Sequence, residues 1–107
     1  MAQGESFRVS WMPQCRETLN SLVQRAIATG QALILVRFLR SIESELRTHP
    51  RECGDPFRNY PAMHLVEYAY TNTTEGFRVT YLVHNKATVV FVKELYLLEG
   101  NPLLEGQ

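Results

Sequence analysis

The amino-acid sequence predicts an α+β fold in which an N-terminal strand and a two-helix hairpin precede a three-stranded antiparallel meander. Residues 77–83 alternate apolar and polar side chains, which is the period of a half-buried strand. Their apolar members are Phe77, Val79, Tyr81 and Val83. Residues 13–48 instead repeat apolar side chains at intervals of three and four, the period of amphipathic helices. We therefore expect both helices to cover the sheet face that carries Phe77, Val79 and Tyr81.

Length and composition predict a single domain spanning residues 1–107. The chain is 45% hydrophobic and 21% charged, as in ordinary globular proteins. A chain of this size buries roughly 60 to 70% of its unfolded surface and can fold without disulfide bonds. The longest apolar run, residues 32–36, is far shorter than the roughly 20 residues of a membrane helix. The first six residues lack the basic and apolar regions of a signal peptide, so we expect a soluble cytoplasmic protein with no membrane partner.

Charge and cysteine content narrow the classes of function. The formal net charge is zero, which argues against a general nucleic-acid-binding protein, because such proteins usually carry a basic excess. Cys15 and Cys53 form no CxxC motif and have no histidine at metal-ligand spacing, so we expect two reduced thiols. The sequence has no Gly-rich phosphate loop, nucleophile elbow, EF-hand or zinc-ligand spacing. We therefore predict no metal and no cofactor.

The first half of the chain predicts one strand and two helices. Residues 6–11 alternate apolar and polar side chains and are predicted to form the first strand. Pro13 suits the first turn of a helix, which we expect to end near residue 29 because Gly30 is a natural C-terminal stop. The second helix should end before Pro50, because the residue before a proline disfavours helical geometry. One continuous, kinked helix is the alternative, since a glycine costs only about 1 kcal/mol inside a helix.

The second half of the chain predicts the meander. Residues 49–61 hold three prolines and a glycine, so we expect an irregular connection there. Residues 62–70 are predicted to form the second strand, and residues 71–76 the turn into the strand of residues 77–83. The fourth strand is expected at residues 88–95. The tail that follows has no strong period.

The turn at Asn85 and Lys86 leaves two registers for the last two strands. A two-residue turn pairs Val92 with Val79 and Lys93 with Arg78. A three-residue turn would instead place Lys93 against Val79 on the core face and Glu94 against Arg78. We expect the two-residue turn, because burying a lysine beside a valine costs more than two like charges on a hydrated face.

Four stretches of this pattern resemble the RelE/ParE toxin superfamily of bacterial type II toxin–antitoxin systems. These stretches are residues 7–11, 46–50, 76–81 and 89–92, and the resemblance covers about residues 7–99. It implies a RelE/ParE-like fold and a small toxin, of the plasmid-stabilisation kind, that a cognate antitoxin neutralises. RelE-like members cut mRNA in the ribosome and ParE-like members poison DNA gyrase, so the resemblance implies ribosome and mRNA, or gyrase, as targets.

Within this resemblance Arg78 matches the arginine that the family carries on the same strand, which makes it the candidate catalytic residue. The basic pair that RelE-like nucleases carry on the preceding strand has no counterpart in residues 62–70. The family's later arginine and its C-terminal tyrosine or histidine also have none. If the chain is an enzyme, the resemblance implies an endoribonuclease from which most of the basic catalytic set is missing. RNA cleavage needs proton transfer and cationic stabilisation of the phosphate, and one arginine supplies only the second.

Further residues are candidates for contacting RNA or a protein partner: Lys93, His64, Arg58, Tyr96 and Leu98. His64 could act as a general base or be a hydrogen-bonded strand residue. Arg58 could touch a ligand or be a solvated loop residue. The apolar residues from 95 to 104 either pack on the sheet or meet a partner. Arg78 itself could be salt-bridged to Glu67 or Glu94.

Two functions remain as alternatives at this point. The first is a toxin or toxin-like protein held by an antitoxin, with Arg78 on the open face of the sheet. The second is a non-catalytic interaction module that retains the toxin fold and a partner-binding surface. A fold hosts many functions, so only the residues of the site can separate these two.

Overall fold

The computed structural model describes residues 6–105, and within them five strands form one sheet that carries a layer of helices. The elements in chain order are β1 (Arg8–Trp11), α1 (Pro13–Ala28), α2 (Ala32–Thr48), β2 (Asp55–Tyr60), a 3₁₀ turn (Pro61–Met63), β3 (Leu65–Asn72), β4 (Phe77–His84), β5 (Val89–Leu97) and α3 (Pro102–Glu105). The strand order is β1-β5-β4-β3-β2. Strand β1 runs parallel to β5, and the other neighbours are antiparallel. The predicted α+β class is confirmed.

The described residues leave out both ends of the chain. Residues 1–5 and 106–107 lie outside the described part of the chain. The first of these ranges is most of the segment that was expected not to be a signal peptide. None of the helices in the described part combines the length and apolar character needed to span a membrane.

The break between α1 and α2 is a hydrogen-bonded stop at Gly30. Its φ angle of 74° lies in the left-handed region that glycine adopts without strain. The Gln31 N–H donates to the Ala26 carbonyl at 2.7 Å, and the Gly30 N–H donates to the Ile27 carbonyl at 3.3 Å. This pair of bonds is a Schellman motif, which satisfies the last carbonyls of α1. Two helices are therefore confirmed, and the alternative of one continuous helix is wrong.

Both helices pack on one face of the sheet, as predicted. The buried helix residues are Cys15, Leu22 and Ala26 of α1 and Leu35, Phe38, Ile42 and Leu46 of α2. They form one core with Phe77, Val79, Tyr81 and Val83 of β4. The rings of Phe38 and Phe77 stack with their centroids 5.4 Å apart. The other face of the sheet has no helix across it in residues 6–105, and β4 therefore presents Arg78 to solvent.

The prediction that residues 49–61 form an irregular connection is wrong, because residues 55–60 form a strand. Strand β2 lies at the edge of the sheet and pairs with β3, so the meander has four strands. Five of its six residues are exposed, which removes the alternation that identifies a half-buried strand. Pro56 is tolerated because an edge strand has one side without sheet partners. Strand β3 also starts later than predicted, since a single 3₁₀ turn occupies Pro61–Met63.

Neither predicted register of β4 and β5 is correct. Residues 85–88 form a four-residue connection, in which Nδ1 of His84 accepts hydrogen bonds from the N–H groups of Lys86 and Ala87 at 3.0 and 2.9 Å. Strand β5 then contains a bulge. Thr80 pairs with Glu94 and Tyr81 with Val92, so the intervening residue has no partner on β4. That residue is Lys93.

The bulge explains why both registers failed. It shifts the pairing so that Val79 faces Leu95 and Arg78 faces Tyr96. A leucine, and not the lysine of the three-residue turn, therefore lies opposite Val79 in the core. Arg78 faces a tyrosine, and not the lysine of the two-residue turn. A bulge inserts one extra residue into a strand and bends it, and no periodicity in the sequence marks its position.

The tail after β5 is part of the core. Asn101 is buried, and its Nδ2 donates to the carbonyls of Gly76 and Glu75 at 2.8 and 3.1 Å. Its Oδ1 accepts the N–H of Leu103 at 2.8 Å, and the Leu103 side chain is fully buried. Of the two alternatives for the apolar tail, packing therefore holds for Leu103.

Tyr81 ties the sheet to the segment that follows α2. Its buried hydroxyl donates to the Pro50 carbonyl at 2.7 Å and lies 3.3 Å from Sγ of Cys53. Burial raises the pKa of this hydroxyl far above its ordinary value, so it stays a donor. Gly54 has to remain small here, because a Cβ would collide with the Tyr81 hydroxyl and lie 2.9 Å from the Ala69 carbonyl oxygen.

We expect Tyr81→Phe to lower the free energy of unfolding by about 1 to 3 kcal/mol, because it removes the donor to the buried Pro50 carbonyl. Urea unfolding followed by circular dichroism measures the loss. Tyr96→Phe is the matched control, because its ring is 45% exposed and the change should stay within about 0.5 kcal/mol. Equal stability of the two variants would show that the Tyr81 hydrogen bond does not hold this segment.

Candidate functional site

The open face of the sheet, the side away from α1 and α2, holds a concavity of about 510 Å³. Four neighbouring strands, β2, β3, β4 and β5, contribute to it, and at the bulges of β2 and β5 two consecutive residues line it. Its lining residues are Phe57, Arg58, Glu67, Arg78, Thr80, Lys93, Glu94, Tyr96 and Leu98. We call this surface the open-face groove.

Five of the six residues singled out from the sequence line this groove: Arg78, Lys93, Arg58, Tyr96 and Leu98. Their proximity comes from the register, since Arg58 pairs with Glu67 across β2 and β3, and Arg78 pairs with Tyr96 across β4 and β5. Their functional roles stay predictions.

His64 is the sixth predicted residue and lies outside the groove. It sits before β3 in a left-handed conformation, with a φ angle of 57°. Its ring centroid lies 6.0 Å from that of His84, near the opposite end of β4 from Arg78. The predicted strand position of His64 is therefore wrong, because the chain turns at Pro61–Met63 before β3 begins.

Glu67 is the buried centre of the groove, with only 2% of its surface exposed. Its Oε2 accepts a hydrogen bond from Nζ of Lys93 at 3.0 Å, and its Oε1 accepts one from the Tyr60 hydroxyl at 2.9 Å. Nη1 of Arg58 donates in turn to the Tyr60 hydroxyl at 3.3 Å. The hydrogen bond to Glu67 raises the pKa of Lys93, and the bond to Tyr60 raises that of Arg58. Both oxygens of Glu67 are thus engaged.

Arg78 differs from the other two cations of the groove. Within residues 6–105 its guanidinium makes no hydrogen bond or ion pair, and the residue is exposed. The alternative that paired it with Glu67 or Glu94 therefore does not hold in the described structure. An arginine in this state offers its planar set of N–H donors to a ligand.

A second carboxylate lies beside Arg78 on the same face. Oε1 of Glu94 accepts a hydrogen bond from Oγ1 of Thr80 at 3.3 Å. A hydrogen bond with the Glu94 carboxylate also raises the pKa of the Tyr96 hydroxyl, whereas Arg78 lowers it to a smaller extent. Glu94 is only half-buried, so solvent or a ligand can reach it. From the sequence, Glu94 was expected as an ion-pair partner of Arg78 or, with a three-residue turn, as its cross-strand neighbour; the bulge pairs it with Thr80 instead.

The chemistry available in the groove is therefore charge stabilisation and proton transfer. Three cations, Arg58, Arg78 and Lys93, face two carboxylates, so the lining carries a net positive charge. Two aromatic rings, Phe57 and Tyr96, are exposed. No group of three or more histidine, cysteine, aspartate or glutamate residues within the described part of the chain could hold a metal ion.

Comparisons with known proteins identify the fold. No protein-family model matches the chain, and no curated protein matches it by sequence. The structure is similar to the RelBE2 toxin–antitoxin complex from Mycobacterium tuberculosis, with a TM-score of 0.62 and 18% identity over 87% of this chain and 92% of that chain. It is also similar to the isolated E. coli RelE toxin, with a TM-score of 0.59 and 15% identity over 94% and 93% of the two chains.

A third similar structure is the archaeal RelE–RelB complex from Pyrococcus horikoshii, with a TM-score of 0.51 and 24% identity over 89% of this chain and 98% of that chain. The chain therefore has a RelE-like fold, as the sequence resemblance implied.

We expect Lys93→Met to lower the free energy of unfolding by about 3 kcal/mol, because it leaves the buried Glu67 carboxylate without its cation. Chemical denaturation at neutral pH measures this. The double variant Lys93→Met, Glu67→Gln should recover most of the loss, since the amide carries no charge and still accepts the Tyr60 hydroxyl. If the double variant is as unstable as Lys93→Met, the buried charge is not the cause.

Proposed function

We propose that this protein is the toxin of a type II toxin–antitoxin system, that a cognate antitoxin holds it inactive, and that it cleaves mRNA in the ribosome. The RelE-like fold supports the toxin role, and two of the similar structures are complexes of such proteins with an antitoxin. The observation that carries the RNA target is Arg78, an exposed arginine without a protein partner in residues 6–105, beside a reachable carboxylate.

Arg78 suits a phosphate better than a structural role. A guanidinium that already pairs with a carboxylate would have to give up that bond before it could bind an anion, and Arg78 has none to give up in the described structure. It can therefore grip two phosphate oxygens at once. Tyr96 lies directly opposite it on β5, where its exposed ring can stack on a base of a single-stranded RNA.

The proposed reaction is attack of a ribose 2′-oxygen on the adjacent phosphate. Glu94 accepts the proton of the 2′-hydroxyl, and the bond from phosphorus to the 5′-oxygen breaks as the new bond forms. Water gives a proton to the departing 5′-oxygen, so the products are a 2′,3′-cyclic phosphate and a 5′-hydroxyl. Arg78 stabilises the additional negative charge on the phosphate oxygens in the transition state. These roles supply the proton transfer that arginine alone cannot.

Glu67 is the wrong carboxylate for this role. It is almost fully buried, and both of its oxygens already accept hydrogen bonds, from Lys93 and Tyr60. The partners of Glu94 are neutral hydroxyls, those of Thr80 and Tyr96, and the residue is only half-buried. A general base has to reach the proton that it removes, so access favours Glu94.

A non-catalytic interaction module is the second candidate, and the outer faces of the helices favour it. Leu33 is 80% exposed and Ile27 63% exposed, and Val36 is also exposed. Exposed apolar side chains at neighbouring positions are typical of protein-binding surfaces. An antitoxin would use such a surface under the first proposal, so the helical layer alone does not separate the two candidates.

We expect Arg78→Ala to abolish growth inhibition in a bacterial host and to slow mRNA cleavage in a cell-free translation reaction by about 10² to 10³. Arg78→Lys should recover only part of the rate, because an ammonium cannot grip a phosphate in two places. Glu94→Gln should also lose most of the cleavage. Arg40→Ala is the matched control, because this exposed arginine lies on α2 across the sheet from the groove.

Melting temperatures of all four variants should stay close to that of the wild type. Arg78 and Arg40 are exposed, and the amide of Glu94→Gln can still accept the hydrogen bond of Thr80. Full toxicity of a folded Arg78→Ala protein would exclude the nuclease mechanism. Harmless expression of the wild type without an antitoxin would favour the interaction module. A truncation before residue 100 would not be a useful variant, because it removes the buried residues Asn101 and Leu103.

A further inference from the structure

The open face carries a second, smaller concavity of about 190 Å³ that the proposed reaction does not use. Its lining residues are Met12, Tyr60, Met63, Leu65, Leu82 and Lys93. All but Lys93 present apolar or aromatic surface, and Met63 is 60% exposed. We call it the methionine pocket. Exposed apolar surface with a defined shape is typical of a binding site.

Separate parts of the fold build this pocket. Met12 lies between β1 and α1, and Met63 belongs to the 3₁₀ turn before β3. Tyr60 and Leu65 face each other across β2 and β3. The ring of Tyr60 is held in place, because its hydroxyl donates to Glu67 and accepts from Arg58. One wall of the pocket is therefore rigid, whereas the thioether chains can adapt to a flat ring.

Lys93 lines both the methionine pocket and the open-face groove. An ammonium has three N–H donors, and the recorded hydrogen bond to Glu67 uses one of them. The others are available to an anion between the two concavities. A ligand that fits this surface thus has two negatively charged groups, one for Lys93 and one for Arg78. It also has a flat apolar group next to the charge that meets Lys93.

We propose that the methionine pocket binds an unstacked nucleobase of single-stranded RNA, whose phosphate lies on Lys93 while the neighbouring phosphate lies on Arg78. This proposal rests on the proposed function, because it extends the same RNA along the open face. A nucleic acid alternates flat rings and phosphates at short spacing, which is the order of apolar and cationic groups on this surface. An apolar side chain of a protein partner would fill the pocket but would leave the free donors of Lys93 unused.

Fluorescence anisotropy with the full-length protein tests the proposal. The probes are labelled trinucleotides with 2′-O-methyl riboses, which cannot be cleaved, in an intact form and in forms that lack the base at each position in turn. Binding is measured at about 50 mM salt, because phosphate contacts weaken steeply as salt rises. At one position, loss of the base should weaken binding to the wild type by about 5- to 100-fold.

Three variants separate the base contact from the phosphate contact. Met63→Ser should weaken binding of the intact trinucleotide several-fold and reduce the difference between it and the abasic form. Arg78→Ala should weaken both forms by the same factor, since it touches only a phosphate. Leu33→Ser is the control, because it removes an exposed apolar side chain from α2 on the other side of the molecule and should change nothing.

The outcomes distinguish the two proposals. If the wild type binds no trinucleotide, the base site is wrong, whereas the proposed cleavage in the ribosome is decided by the rates of Arg78→Ala and Glu94→Gln. If the wild type binds but Arg78→Ala has no effect, the proposed RNA function fails. If binding depends on Arg78 but every abasic form binds as tightly as the intact form, the RNA function stands and the base site is wrong. An abasic effect that is as large in Met63→Ser as in the wild type would place the base elsewhere.

Discussion

The buried carboxylate of Glu67 is the constraint on which the open face depends. An unpaired charge at this depth would cost several kcal/mol, so the surrounding chain has to supply donors. Lys93 reaches it because a bulge in β5 leaves that residue without a partner on β4. Tyr60 reaches it from the edge strand, and Arg58 then binds Tyr60. One buried charge on β3 thereby positions side chains from two other strands, β2 and β5.

The same arrangement divides the cations of the groove by function. Lys93 and Arg58 belong to the hydrogen-bonded network around Glu67, which fixes their positions, and the bond to Glu67 leaves Lys93 two N–H donors for a ligand. Arg78 stands outside this network and keeps its donors for a ligand. Preorganised charge with little rearrangement is what stabilises a transition state, whereas a cation already paired in the ground state contributes less. The proposed division of roles follows from these pairings.

The two faces of the sheet depend on different interactions, apolar packing on one and charged pairs on the other. The helical face is closed mainly by apolar packing, which tolerates other apolar side chains of similar volume. The open face depends on individual charges and on their register. Similar structures at 15 to 24% identity can therefore share the fold while the residues on the open face differ. The groove, and not the fold, has to carry any argument about activity.

The sequence by itself determined the α+β class and the face on which the helices pack. It also predicted two helices with a stop at Gly30, but the alternative of one continuous helix was excluded only by the hydrogen bonds at Gly30. Each of these follows from local periodicity or from the backbone freedom of one residue, which neighbours in the chain determine. It also singled out Arg78, Lys93, Arg58, Tyr96 and Leu98, which the structure brings into one groove.

Only the tertiary structure decided the edge strand β2, the bulge at Lys93 and the pairing of Glu67. An exposed edge strand has no apolar alternation to reveal it, and a bulge leaves no periodic trace. His64 fell outside the groove because a 3₁₀ turn displaced it from the strand. Which carboxylate meets which cation depends on cross-strand contacts between residues far apart in sequence, such as Glu67 and Lys93, and local patterns hold no information about such distances.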